Sequence, residues 1–312
     1  MPETGVDRVA FAVATGPGAL EIRHGERQAL PDGQVRVRVA YVGVCHSDTA
    51  KVREGQEPFP SRLGHEVSGT ITESTDAALP VGAQVAAYVS DGYATEIVAP
   101  ADRIIPLNPG CDLVDAALSE PFACVIGGIE MLDLAHVPEV VVVGAGFMGL
   151  MAVRLLAARG HRITVIEPRD EVRERALALG AETALTPAEA SALEQDCEMV
   201  IEATGAAAGL ELAASLVKIA GTLGIMGYHQ SNGGARTVAM ESWNFRALRV
   251  LNLHHRNPDD VMRWMDRAQR LAALGIVRPS ELVDAHVSLD DLPDLFATNA
   301  KAGAIKTVLA FS

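Results

Sequence analysis

The chain has 312 residues, longer than one typical domain, so two hydrophobic cores are expected, and its 49% hydrophobic content suits a compact globular protein. Its 40 acidic residues against 26 Lys and Arg give a net charge of −14 without any basic cluster, which argues against nucleic acid or an anionic membrane as partner. No apolar run is long enough to span a bilayer, and the opening MPETGVDRVAF lacks a basic region followed by an apolar one, so a cytoplasmic protein is expected. Four cysteines, at 45, 111, 124 and 197, form no CxxC pair, which fits a reducing compartment where a special cysteine is a ligand or a nucleophile.

The first 120 or so residues read as β-rich. Gln34 to Val42 alternates valine with polar residues, Gly64 to Thr72 is a second strand and Tyr93 to Val98 a third, all punctuated by Gly and Pro. From about Ala123 helical runs alternate with apolar strands at Val140 to Val143, Ile163 to Ile166, Met199 to Glu202, Thr222 to Met226 and Arg249 to Leu253. Alternation of that kind implies a parallel, doubly wound sheet. The tail holds a helix at Asp259 to Leu274, an extended stretch at Leu282 to Val287, a short helix near Leu289 to Ala297 and a last strand at Ile305 to Phe311. A strand so late in the chain is expected to pair back onto the N-terminal β region.

Between the first two of the later strands the chain reads Gly144-Ala145-Gly146-Phe147-Met148-Gly149, followed by a helical pattern from Leu150 to Arg159 that Gly160 stops. The second strand ends on Glu167, 18 residues past Gly149. Strand, glycine turn, helix, strand and acid form the context of a dinucleotide site: Gly144 for the tight turn, Gly146 for approach to a pyrophosphate, Gly149 for close packing of helix on strand. Glu167 would take the adenosine ribose hydroxyls, which favours NAD; Arg169, two residues on, is the counter-indication, because an arginine there accepts a 2′-phosphate. Within the β region a second constellation appears, Gly43-Val44-Cys45-His46-Ser47-Asp48 and then Gly64-His65-Glu66. Cys, His and Glu are competent zinc ligands, and three protein ligands with an open fourth position suit a catalytic ion.

With these blocks, Gly92-Tyr93-Ala94-Thr95-Glu96, Glu120-Pro121, Ala203-Thr204-Gly205 and the ending Ala304-Ile305-Lys306-Thr307-Val308-Leu309, the chain resembles the zinc-dependent medium-chain dehydrogenase/reductase family over nearly its whole length. The resemblance implies a GroES-like β domain at 1–122, an inserted Rossmann domain at 123–255 and a return to the first domain at 256–312. It implies that Cys45 and His65 hold the zinc with Glu66 as an exchangeable ligand. Glu120 would stand at the metal directly or through water, as in the sorbitol and threonine dehydrogenase branch, with Cys124 too late on a helix to replace it. Asp48 would orient His65 and Ser47 would take the substrate proton. Gly144, Gly146, Phe147, Met148, Gly149, Glu167, Arg169, Thr204 and Gly205 would bind the cofactor, with His46 and Lys306 near its pyrophosphate. Only six residues separate Val85 from Gly92, leaving no room for the lobe of four cysteines that binds a structural zinc in many members, so one zinc per chain is expected. Ala50 cannot continue a histidine proton relay.

The implied activity is hydride transfer between NAD(H) and a polar secondary alcohol or ketone: a polyol, cyclitol, sugar or amino alcohol. Val89, Ser90, Trp243, Asn244, His254 and His255 are candidates for the pocket lining. A simple alcohol or aldehyde dehydrogenase, a zinc-free quinone or enone reductase, and an NAD-binding redox sensor without turnover are the rivals, and the retained ligands count against the last two. The strand Arg249 to Leu253 is expected to pair with its copy in a homodimer, or in a homotetramer built from dimers.

Overall fold

The computed structural model describes residues 8–298 and 303–311, so most of the opening segment read for a leader lies outside them. Contacts divide the chain into two units, one running to Glu120 and resuming at Met265, the other Pro121–Trp264.

The first unit begins with an antiparallel hairpin, β1 (Arg8–Gly16) and β2 (Ala19–Glu26). Then come β3 (Gln34–Val44), α1 (His46–Arg53), β4 (Glu66–Ser74), β5 (Gln84–Ala87), β6 (Glu96–Pro100), β7 (Ile104–Pro106) and α2 (Leu113–Ala117). The valine alternation of β3 places Val35, Val37 and Val39 in the core, as a strand with one face inward requires. Arg36 on the other face is also buried, and it is tolerated because its guanidinium lies 2.6 Å from Glu73 and 2.8 Å from Glu96. Helix α3 (Ser119–Glu130) leads out of this unit.

The second unit is built from β8 (Glu139–Val143), α4 (Phe147–Ala158), β9 (Arg162–Ile166), α5 (Asp170–Ala178), β10 (Thr183–Leu185), β11 (Cys197–Glu202), α6 (Ala207–Leu216), β12 (Val217–Ile225), α7 (Met240–Phe245) and β13 (Arg249–Asn252). All pairings are parallel and the order is β10-β9-β8-β11-β12-β13. Numbered within this sheet, that is 3-2-1-4-5-6, the doubly wound order whose direction reverses between β8 and β11, where ligands bind beyond the strand ends. The interior of β8 is four valines, Val140–Val143, all buried, as strands covered on both faces demand. Helix α4 starts at Phe147, before the periodic stretch from Leu150, because Gly146 caps it.

Helix α8 (Pro258–Ala273) returns the chain, followed by β14 (Val283–Val287), α9 (Leu292–Thr298) and β15 (Lys306–Ala310). β15 pairs antiparallel with β3 and parallel with β14, completing the seven-stranded sheet β14-β15-β3-β4-β5-β7, with β6 also on β3. The late strand thus joins the N-terminal β unit, and the fold is a β-rich domain split by a doubly wound α/β domain. Among the described residues no helix is long and apolar enough to cross a membrane.

Candidate active site

The first cluster forms where β3, β4 and β15 lie side by side. Strand β3 ends at Val44, so Cys45 stands at its exit in extended conformation and caps α1. Gly43 pairs with Glu66 across to β4 and with Val308 across to β15. A Cβ at Gly43 would lie 1.7 Å from Glu66 Oε2, so the missing side chain is what lets the Glu66 carboxylate fold over β3. Ligand atoms of Cys45, His65 and Glu66 all fall within 4.8 Å of one another. Thiol, imidazole and carboxylate at that spacing fit one divalent cation of zinc type.

Around this trio sit groups that fix it. Asp48, buried on α1, has Oδ1 3.5 Å from His65 Nδ1 and accepts a 2.9 Å hydrogen bond at Oδ2 from the Tyr93 hydroxyl. The ring of His65 is thereby oriented with Nδ1 toward the acid, leaving Nε2 for other partners. Ser47 Oγ donates to Cys45 Sγ at 3.1 Å. Lys306 Nζ lies 2.7 Å from Glu66 Oε1 and 2.6 Å from Oε2, with hydrogen-bond geometry toward Oε1, and it also donates to the Val44 carbonyl at 3.3 Å. Both charges are buried, which a pair in contact permits and a lone ion does not.

The electrostatics are those of a site short of positive charge. Burial works against the charged form of His65, yet Cys45, Asp48 and Glu120 together hold its pKa well above the ordinary histidine value. Asp48 stays below the usual carboxylate range against its burial, through His65 and Tyr93. Glu120, at the start of α3, is pushed up to about 7 by burial, with His65 and Lys306 pulling down and Glu66 and Asp48 pushing up. It lies within charge range of the trio without belonging to the three whose ligand atoms converge. By contrast the thiols of Cys111 and Cys197 are pushed up, by burial first, to about 12 and about 11, which leaves them inert.

The second unit carries the glycine turn between β8 and α4. Gly144 has φ 94°, a conformation other residues adopt only with strain, and a Cβ there would also meet Thr204 Cγ2 at 2.5 Å. Gly149 would place a Cβ 2.1 Å from the Gly144 carbonyl, the close helix-on-strand packing expected of it. Gly146 differs: its φ is −67° and a Cβ would meet nothing within 4 Å. Neither backbone nor neighbours require glycine there, so the open space it leaves suits a bulky group approaching the backbone, as a pyrophosphate does. Thr204 and Gly205 lie beyond β11 and are anchored by Glu202, a buried acid that accepts from Thr204 N at 2.6 Å and Gly205 N at 2.8 Å. Glu167 directly follows β9 and accepts from Ala145 N at 2.9 Å, which ties the acid to the turn itself.

Other sequence candidates fall elsewhere. Lys306, expected near a pyrophosphate, commits its ammonium to Glu66 and the Val44 carbonyl. His46 opens α1 with its side chain exposed. Val89 packs on the first core and Trp243 on the second, Asn244 is exposed, His254 lies against the Tyr228 ring and His255 against Trp264. Two residues without an assigned role in the sequence matter, Tyr93 and Glu202. A buried tyrosine needs a partner for its hydroxyl, but nothing in the sequence says that the partner is Asp48.

Residues 31–109 match the family described as alcohol dehydrogenase GroES-like domain, and residues 148–270 match zinc-binding dehydrogenase. D-altritol 5-dehydrogenase of Agrobacterium fabrum is 29% identical over 73% of this chain and 79% of its own length. Galactitol 1-phosphate 5-dehydrogenase of Escherichia coli is 26% identical over 70% of each. The crystal structure of L-idonate 5-dehydrogenase from Escherichia coli superposes with a TM-score of 0.85 at 17% identity, covering 97% of this chain and 98% of that one, a likeness of fold. With the two domains in this order and both clusters in place, the chain belongs to the zinc-dependent medium-chain dehydrogenase/reductase family.

Proposed function

We propose that the chain transfers hydride between a nicotinamide dinucleotide and a polar secondary alcohol or its ketone, of the polyol or sugar-alcohol class, with one zinc ion held by Cys45, His65 and Glu66. The observation that carries this is the convergence of those three ligand atoms within 4.8 Å. The matched relatives named for altritol and galactitol 1-phosphate support the substrate class. When bound, zinc supplies Lewis acidity toward the substrate oxygen and the nicotinamide supplies or accepts the hydride.

The chain's own residues do the rest. Asp48 holds the His65 ring in one orientation and Tyr93 holds Asp48. Ser47, within reach of Cys45 Sγ, is the hydroxyl placed to accept a proton from a substrate alcohol, and with Ala50 unable to relay it the proton leaves through water, His46 or the cofactor ribose. Lys306 keeps Glu66 paired, so the carboxylate has an alternative to the metal as a ligand. Glu120, whose carboxyl burial pushes up to about 7 in the metal-free site, is the further acid held within charge range of the trio, and a cation there would favour its charged form. In the second unit the glycine turn with Phe147 and Met148, and the ends at Thr204 and Gly205, form the cradle for the dinucleotide. The choice of NAD that Glu167 suggested turns on its contact with Arg169. The site serves a small molecule, and the chain works as a homodimer or a tetramer of dimers in the cytoplasm.

Turnover of a panel of polyols, cyclitols, sugars, amino alcohols and simple primary alcohols, with NAD and NADP each in turn, tests the reading. Activity with polyols or sugar alcohols well above that with simple alcohols is expected. Activity confined to aldehydes or enones contradicts it.

A further inference from the structure

Glu167, the acid just past β9, is not a free acceptor. An ionised carboxylate has about four lone-pair sites. Four N–H donors occupy those of Glu167: Ala145 N at 2.9 Å and Arg169 Nη2 at 3.3 Å on Oε2, Arg169 N at 3.2 Å and Arg169 Nε at 2.8 Å on Oε1. The Glu167 side chain is 4% exposed, whereas that of Arg169 is 37% exposed. A ribose diol therefore finds no vacant acceptor on Glu167 unless Arg169 swings away, and the negative charge that would repel a 2′-phosphate is already paired. What remains accessible beside the adenosine end of the glycine turn is a guanidinium, a planar fork matched to phosphate oxygens. Arg173, one turn into α5, donates to the Glu167 carbonyl at 2.7 Å and so braces the backbone that carries the acid. The acids close by are Asp170, whose charge Arg173 takes up, and Glu171 in the first turn of α5.

We infer that Arg169 is the residue that reads the adenosine 2′ position, and that the chain accepts a 2′-phosphorylated dinucleotide at least as well as NAD. This rests on the dinucleotide reading above and reverses the cofactor preference drawn from Glu167 in the sequence. NAD binds only at the expense of the Glu167–Arg169 contacts; NADP keeps them and gains a phosphate contact.

Calorimetric titration of the full chain with 5′-AMP and with adenosine 2′,5′-bisphosphate tests this without turnover or metal, since the two ligands differ only in the 2′-phosphate. The bisphosphate is expected to bind as tightly as AMP or more tightly. In Arg169→Ala its affinity relative to AMP is expected to fall at least tenfold, with AMP affinity held or improved as the carboxylate is released. Weaker binding of the bisphosphate than of AMP by the native chain overturns the inference while leaving the dinucleotide reading intact; so does an unchanged ratio in Arg169→Ala. Failure of both ligands to bind overturns the inference together with the reading on which it rests.

Discussion

At the scale of single residues, the contact between Lys306 and Glu66 sets a clear expectation. Both side chains are buried and their charged atoms lie 2.6 Å apart. Removing one partner leaves the other as an uncompensated buried charge, which costs about 3–5 kcal/mol. Lys306→Met in chelator-treated protein is expected to lose stability of that order in denaturant unfolding, and a loss under 1 kcal/mol would show the pair to be hydrated in solution. Glu120 gives a pH test. In the metal-free protein its pKa is about 7 against an ordinary 4.5, so the folded chain keeps a proton that the unfolded chain releases. Stability from this group is therefore fully present below about pH 4.5 and is lost as the pH rises to about 7, on the order of 3 kcal/mol across the window. Glu120→Gln is expected to lack that decline in the chelated protein and, with metal restored, to lower kcat for polyols while leaving dinucleotide affinity alone. Identical pH slopes for native and variant protein contradict the assignment. The residues of this site that were legible in the sequence are those whose relations are local: Cys45, Ser47 and Asp48 within one turn, His65 beside Glu66. Partners distant in sequence were not. Tyr93 reaches Asp48 across 45 residues, and Lys306 reaches Glu66 across 240, a contact created by β15 lying beside β3.

At the scale of elements, the glycine turn separates two kinds of glycine. Gly146→Val adds a side chain into open space, so its melting temperature is expected to stay near that of the native chain while titration with 5′-AMP or NADH shows at least tenfold weaker binding. Gly144→Ala forces a non-glycine residue to φ 94° against Thr204, and is expected to lower the melting temperature by several degrees, since such strain costs on the order of 1–3 kcal/mol. If Gly146→Val binds both ligands as the native chain does, the open face is not the pyrophosphate cradle. This element was readable because strand, turn and helix follow one another directly, each with its own periodicity. Less was readable where the signal was weak. The hairpin β1–β2 carries an alanine-rich first strand with low β-propensity, and β10 spans only Thr183–Leu185, too short for a period to show. β10 forms because β9 offers it an edge, and β1 and β2 form because each pairs with the other along its length.

At the scale of the whole molecule, the doubly wound sheet ends on β13, whose outer edge pairs with no strand among the described residues. Beside it in sequence, α7 buries none of its residues, and Met240 is 55% and Phe245 83% exposed. Unpaired backbone groups next to exposed apolar side chains are the features of a surface that closes on a copy of itself. Sedimentation at micromolar concentration is expected to give a dimer or tetramer, with Phe245→Glu and Val250→Lys together shifting it toward monomer; a monomeric native chain contradicts this. The two-part architecture itself was legible from the change of periodicity near Ala123. The return point was harder to place, because α8 runs continuously from Pro258 to Ala273 across it and the composition shifts earlier.

The proposed hydride transfer requires one cation held where Cys45, His65 and Glu66 converge. Elemental analysis of the purified chain tests this most directly, set beside Cys45→Ser prepared in the same way. One zinc per native chain, lost in the variant while 5′-AMP affinity is unchanged, is the predicted result. Two zinc ions per chain, none in a native protein that turns over alcohols, or full retention by Cys45→Ser would contradict it.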